Sequence, residues 1–363
     1  LKDGKPITTP SQDMVLGAYY LTTIKEGAKG EGMVFNSTNE MKKALLTGDV
    51  EYQTRVSVRV RKNSEDVGKI VESSVGRFIY NEGIPQDLGY VNRKDDPYSL
   101  EINQVADSGV LKDIVDRCFR RHGNIKTAEV LDYIKQTGYK YSTLSGLTVS
   151  MADVNIPKEK WNIIADADNE VDKYEKLYSR GLITDDERYE KVIDIWRETT
   201  DKVTEALLTD LRDDNNIKIF ADSGARGSTN QIRQLGGMRG LMSQADGKTI
   251  EIPVKANFRE GLSVQEYFIS SHGSRKGLTD TALRTADSGY LTRRMVDISQ
   301  DVIVTEDDCH TDGYVEAYEF KDGNELVENL YTRIVGRTSF EDIKDSDGEL
   351  LCSKDQLIDE DTA

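Results

Sequence analysis

Histidine and cysteine are scarce in this sequence, three of each in 363 residues. Cys118, Cys309 and Cys352 are odd in number and far apart, and no CxxC pair occurs. That argues against a disulfide framework and fits a reducing compartment. His122, His272 and His310 are equally scattered, and none stands in a readable nucleophile–base arrangement. No apolar run approaches the length that crosses a bilayer, and no signal-peptide pattern is present. We therefore expect a soluble, cytoplasmic protein without a membrane partner. Positive charge is also short, with 48 Lys plus Arg against 65 Asp plus Glu and a net charge of -17. Taken as an average, that speaks against phosphate-backbone binding, which needs a basic surface. A Walker lysine in GxxxxGK spacing and a DxDxD acidic triad are both missing, which counts against a self-contained nucleotide-dependent enzyme. The first residue is leucine rather than methionine, so we expect a stretch of something longer.

The average charge conceals an asymmetry. Residues 221–300 carry 11 Lys plus Arg against 8 Asp plus Glu, a positive stretch inside an acidic chain. Ahead of it the sequence predicts an α+β framework over 1–150. There "RVSVRVR" (55–61) alternates as a half-buried strand does. "LKDIVDRCFRRHG" (111–123) and "KTAEVLDYIKQTG" (126–138) have helical spacing, each with a closing glycine at the expected C′ position.

Residues 151–215 predict a coiled-coil hairpin. Pro157 suits a first helical turn, and Ile164, Ala167, Val171, Tyr174 and Tyr178 follow at spacings of three and four. Gly181 can end that helix, and Thr184 with Glu187 forms a capping box for the next. The pattern repeats at Tyr189, Val192, Trp196, Thr199, Val203 and Ala206. From 151 to 214 there are 18 acidic and 10 basic residues. The pair reads either as a solvated helical hairpin or as a protruding arm that docks a partner.

Over 216–262 glycine and arginine dominate. Ser228 and Gln231 predict another capping box, and the short helix should stop at Gly236 or Gly237. Arg226, just before that helix, and Arg233, inside it, could together hold a phosphate group at a helix amino end. Equally, they could cap carboxylates or carbonyls of a loop. From 263 to 300 no proline interrupts, which predicts a single long helix. Gly273, Gly277 and Gly289 should each cost about 1 kcal/mol relative to alanine. Small residues beside Arg275, Lys276, Arg284, Arg293 and Arg294 make a thin, basic, bendable rod suited to nucleic acid. For 301–363 we expect a mostly β segment, its clustered acids solvated.

"ADSGARGSTNQIRQLGGMRGLM", "PVKANFREGLSVQEYFISSHGSRKGLTDTALRTADSGYLTRRMVDISQDVIVTEDDC" and "PSQDMVLGAYYLT" resemble the β′-subunit family of bacterial DNA-directed RNA polymerase. The likeness runs through the whole chain, the "ERYEKVIDIW" helix included. It implies a helix-rich α+β architecture, with a funnel and pore region over 1–150 and rim helices over 151–215. A Gly/Arg-rich funnel segment over 216–262, a bridge helix over 263–300 and the C-terminal segment over 301–363 complete it. In the family, transcript-cleavage factors and related regulators dock on the rim helices. Nucleoside triphosphates (NTPs) pass through the funnel, where Arg226 and Arg233 match arginines that approach the triphosphate. The bridge helix crosses the active-site cleft beside the template base and RNA 3′ end. Arg275, Lys276, Arg284, Thr285, Ala286, Gly289 and Arg293 match positions there, and Thr285, Ala286 and Gly289 face the template.

Partners implied are the β, α, ω and σ subunits, template DNA, RNA and NTPs, in a nucleoid-associated enzyme. Mg²⁺ and Zn²⁺ are cofactors of the full subunit. The aspartates of the NADFDGD loop that hold Mg²⁺ are absent from this sequence and would lie upstream, and the mobile trigger loop would lie downstream. Cys309 matches the first ligand of a structural zinc site, whose other three cysteines would also lie downstream. The resemblance implies a central part of a nucleotidyltransferase that does not polymerise alone. The alternative is a regulator-docking module acting through the rim helices, with no autonomous chemistry.

Overall fold

The computed structural model describes residues 7–61, 66–244, 246–306, 311, 313–323, 325–345, 348, 350–360 and 362–363. Residues 9–288 form one compact unit and 289–363, with the first eight residues, another.

In the first unit, α1 (Asp13–Thr22) packs on α4 (Ser108–Ser145). Val15, Leu16, Ala18 and Leu21 of α1 join Leu111, Ile114, Val115, Cys118, Val130, Ile134 and Tyr141 of α4 in one buried cluster. Gly123 (φ 73°, ψ −171°) kinks α4, so the predicted stop at 123 is a break between two helical stretches. The stop predicted at Gly138 does not occur. Gly138 is buried in mid-helix, and a β-carbon there would stand 2.6 Å from the Met14 Cα. The position is glycine because two backbones meet there, a reason invisible to a capping rule.

Beside this core lies a small sheet. β1 (Val34–Phe35) runs parallel to β2 (Arg55–Val60), which pairs antiparallel with β3 (Lys69–Ser74) from Arg55↔Ser74 to Val60↔Lys69. The alternation read at 55–61 holds, with Val56 and Val58 turned inward against Met41 of α2 (Thr38–Thr47) and Val75 and Phe78 of α3 (Val75–Asn81).

Beyond α4, two helices are joined by a short turn. α5 (Lys160–Ser179) and α6 (Asp185–Asp210) bury Ile164, Ala167, Val192, Trp196 and Val203 between them. The Thr184/Glu187 capping box is formed and Gly181 takes φ 74°. α5 begins at Lys160 rather than at Pro157, whose carbonyl accepts from the Lys160 N–H at 3.2 Å. At the far end of α6, Leu207 rather than Ala206 enters the core, packed with Val154, Leu211, Ile217 of α7 (Asn216–Asp222) and Ile232 of α8 (Thr229–Gly236).

The last helix of this unit, α9 (Val264–Ser299), has 36 residues and continues into the second unit. There the described regular structure is slight. β4 (Phe320–Asp322) pairs with β5 (Glu325–Glu328), and α10 (Leu330–Ile334) follows. β6 (Ile343–Lys344) pairs with β7 (Leu350–Cys352). The architecture is helix-rich α+β.

Candidate functional site

The chemistry-bearing residues of the first unit meet where α5 and α6, the segment 248–260 and the start of α9 converge. The segment lies across the helix pair, held by polar contacts. The Tyr189 hydroxyl donates to the Thr249 carbonyl at 3.0 Å. The Arg188 guanidinium forks onto Glu251 at 2.7 and 3.1 Å. Lys255 reaches both carboxylate oxygens of Asp168, at 2.6 and 2.8 Å, with its ammonium 5.1 Å from the Trp196 ring centre. Lys160, whose side chain is 0% exposed, donates to Glu260. Burial pushes the Lys160 ammonium below the usual lysine range, and the Glu260 carboxylate opposes that shift. Asn257, fully buried, donates from Nδ2 to the Gly236 and Gly237 carbonyls that end α8, at 3.0 and 3.1 Å.

Glu266, in the first turn of α9, completes this arrangement. Its Oε1 accepts the backbone N–H groups of Lys255 and Ala256, each at 3.0 Å. Its Oε2 accepts the Ser263 N–H at 3.0 Å and the Ser263 hydroxyl at 2.8 Å. Burial opposes ionisation, but the donors from Ser263, Ala256 and Lys255 outweigh it and hold the carboxyl below its ordinary value.

The two arginines predicted to share a phosphate stand in different surroundings. α8 starts as expected, with the Ser228 N–H donating to Gln231 Oε1 at 3.1 Å, and it ends at Gly236 with Gly237 as cap. Arg226 is exposed just ahead of it, its N–H donating to the Phe220 carbonyl at 3.3 Å. Arg233 is half-buried and lines a cavity of about 220 Å³ with Arg197, Thr200 and Asp201 of α6 and with Arg239 and Ser243. Nε of Arg233 and Nε of Arg239 are buried without a protein acceptor among the described residues. Such donors call for water or an anion. Sequence reading missed Arg239 and Arg197. Arg239 follows the α8 stop by three residues, a signal that was available, whereas Arg197 is brought in only by the packing of α6.

Among the described residues, α9 buries only Ser270. Arg275, Arg284, Thr285, Ala286, Gly289 and Arg293 are all exposed, and Lys276 is half-exposed with Nζ donating to the Gln244 carbonyl at 3.1 Å. Arg284 stands 3.9 Å from Asp280 and Arg293 3.8 Å from Asp297, pairs so exposed that their cations remain available. Thr285 returns its hydroxyl to the Thr281 carbonyl at 2.7 Å. At Gly273 a β-carbon would meet only Met242 Cε, at 2.7 Å, the end of a flexible side chain that can move aside. Gly277 and Gly289 have nothing within 4 Å of a β-carbon. Tyr267, Phe268, Leu278, Leu283, Tyr290 and Met295 are exposed along the same helix.

His122 Nε2 lies 2.8 Å from Asp87 Oδ1, and His272 stands edge-on to Phe268 at 5.0 Å. Cys118 and Cys352 are free and buried. Cys309 and His310 lie outside the described residues, so the zinc-ligand expectation at Cys309 has no geometry here. Among the described residues no group of three or more His, Cys, Asp or Glu could hold a metal ion, and no helix is long and apolar enough to cross a membrane.

Comparison with known proteins covers the whole length. Three family models match in chain order: RNA polymerase Rpb1 domain 3 at residues 1–154, domain 4 at 183–259 and domain 5 at 261–353. The chain is 62% identical over 361 residues to the DNA-directed RNA polymerase subunit β′ of Finegoldia magna, covering 99% of itself and 30% of that protein. It is 59% identical to the same subunit of Alkaliphilus oremlandii and 60% identical to that of Clostridioides difficile, covering 100% of itself and 31% of each. It thus spans under a third of the length of the curated relatives it matches.

Proposed function

The chain belongs to the β′-subunit family of DNA-directed RNA polymerase, and from that premise we propose that it contributes the nucleotide route and the active-site helix to DNA-templated RNA synthesis. In this reading α5–α6 are the rim helices and the segment through α8 belongs to the funnel of the secondary channel. α9 is the bridge helix beside the template base and RNA 3′ end. The full enzyme contains the β, α, ω and σ subunits.

One observation carries the reading: α9 is a 36-residue helix with one buried residue among those described. A helix studded with exposed aromatic and aliphatic side chains and flanked by arginines is not stabilised by its own unit, because helices of this kind draw their stability from packing. It fits a position among other polymerase parts and nucleic acid. Small residues at Ala286 and Gly289 allow a base pair to approach, and the surrounding arginines complement phosphate charge.

Arg226 and Arg233 act as electrostatic guides for the triphosphate. Arg233 lines the cavity against α6, and Arg226 stands exposed ahead of the α8 amino end, where the helix dipole favours anions. In the family the Mg²⁺ that would supply the phosphoryl-transfer chemistry is held by carboxylates of the NADFDGD loop, a motif this sequence lacks. The chain alone therefore does not polymerise. The direct test incubates the isolated chain with template, primer, NTPs and Mg²⁺. No nucleotidyl transfer is expected, and transfer or hydrolysis above background contradicts the reading.

A second role rests on a separate observation. Leu182, in the turn between α5 and α6, is 66% exposed, and acidic Asp185 and Asp186 follow it. An exposed apolar tip with a charged rim suits docking of transcript-cleavage-type regulators at the rim helices. Loss of regulator binding on Leu182→Asp, with basal elongation retained, is the expected result.

A further inference from the structure

α9 does not begin as an isolated helix; its first carboxylate is tied to the strap 248–260, and the strap is tied to α5 and α6. Four contacts fasten that strap across the helix pair: Tyr189 to Thr249, Arg188 to Glu251, Asp168 to Lys255 and Lys160 to Glu260. Glu266 then takes two N–H groups from the middle of the strap, at Lys255 and Ala256. Lys255 is held at both ends, its backbone by α9 and its ammonium by α5. Ser263 and Glu266 also make an ordinary helix cap, with the Ser263 hydroxyl receiving the Glu266 N–H at 3.4 Å. A cap uses the oxygen that faces Ser263; the other oxygen is spent on the strap, and a cap does not need that contact.

We propose that Glu266 is a positioning residue for nucleotide addition, fixing the amino end of α9 to the α5–α6 pair through Lys255 and Asp168. The proposal rests on the reading of α9 as the helix beside the reacting nucleotides. At a rise of 1.5 Å per residue Glu266 stands about 30 Å along the axis from Ala286, and a stiff helix carries a shift of its anchored end over that distance. Misplacement of about 1 Å at a reacting centre is costly in rate, so loosening the anchor slows the chemical step more than it weakens nucleotide binding.

The test uses polymerase reconstituted with the full-length subunit, measuring single-nucleotide addition over a range of NTP concentrations. Glu266→Ala is expected to lower the maximal rate about three- to tenfold while the half-saturating NTP concentration moves less than about twofold. Glu266→Gln, which keeps an oxygen for the Lys255 and Ala256 N–H groups, is expected to regain most of the loss. Ser263→Ala, which removes the cap hydroxyl and leaves the strap contacts, is expected to stay near the parent rate. Lys255→Ala and Asp168→Ala should each slow addition, and the double variant should be no slower than either, since they share one contact.

An unchanged maximal rate for Glu266→Ala overturns the proposal. So does equal slowing by Ser263→Ala, which reduces Glu266 to a helix cap, or additive slowing by Lys255→Ala and Asp168→Ala. Gly289→Ala separates this failure from failure of the parent reading. If Gly289→Ala alters elongation and Glu266→Ala does not, only the positioning role falls; if neither does, the bridge-helix reading falls with it.

Discussion

Gly17 and Gly138 meet where α1 packs on α4, and a β-carbon on Gly17 would stand 1.8 Å from the Gly138 carbonyl oxygen. Neither clash is with a flexible side chain, since Gly138 in turn abuts the Met14 backbone at 2.6 Å. Gly17→Ala or Gly138→Ala must push two helices apart and open the cluster around Val15, Leu16 and Ile134. We expect a loss at or above about 3 kcal/mol, the upper end of overpacking costs, read as a fall in the urea midpoint. An unchanged midpoint would show that the two helices do not cross this closely.

Gly277 offers the opposite case. It is helical, exposed and clear of neighbours. Gly277→Ala should stabilise α9 by about 1 kcal/mol through helix propensity alone. In the assembled enzyme the same change should alter elongation rate and pausing, because alanine stiffens the helix at that point. Circular dichroism of the chain and a pause assay of the enzyme measure the two halves separately.

Arg226 and Arg233 should differ in effect. Arg233 lines the cavity against α6 beside Arg197 and Arg239, so Arg233→Ala should raise the half-saturating NTP concentration about tenfold, equivalent to about 1.4 kcal/mol. Arg226 is exposed and screened, and Arg226→Ala should raise it only about two- to threefold. The smaller effect should shrink further in high salt. Equal values for parent and both variants would remove the arginines from the nucleotide path.

Acid should find Glu266. Burial opposes its ionisation, but the Ser263, Ala256 and Lys255 donors hold its folded-state pKa below its ordinary value. A depressed carboxylate contributes stability that is fully present above the unfolded-state value and is lost as pH falls through the folded-state value. The melting-temperature difference between the parent chain and Glu266→Gln should therefore be full at pH 7 and close progressively below about pH 4. A difference that widens on acidification would reverse the sign of this account.

What could be read from sequence was local. Ser228 with Gln231, Thr184 with Glu187, and Gly181 announce their turns within four residues, and the hydrogen bonds of both boxes are formed. The alternating valines of β2 and the uninterrupted run of α9 were legible for the same reason, because periodicity is a property of neighbours. Gly138 was misread because a glycine after an apolar run looks the same whether it ends a helix or admits another backbone. Arg197 beside Arg239, Asp168 beside Lys255 and Lys160 beside Glu260 join residues 42, 87 and 100 positions apart. No spacing rule links such pairs; packing of α6 and the course of 248–260 create them.

In the proposed reading α9 lies beside the template base and the RNA 3′ end. A photoreactive amino acid placed at Ala286 of the full-length subunit, in a reconstituted elongation complex with labelled template and RNA, tests it most directly. We expect a crosslink to the template within a nucleotide or two of the RNA 3′ end, reduced when the group is moved to Leu182 at the α5–α6 turn. Crosslinking to nucleic acid from Leu182 but not from Ala286, or from neither, would contradict it.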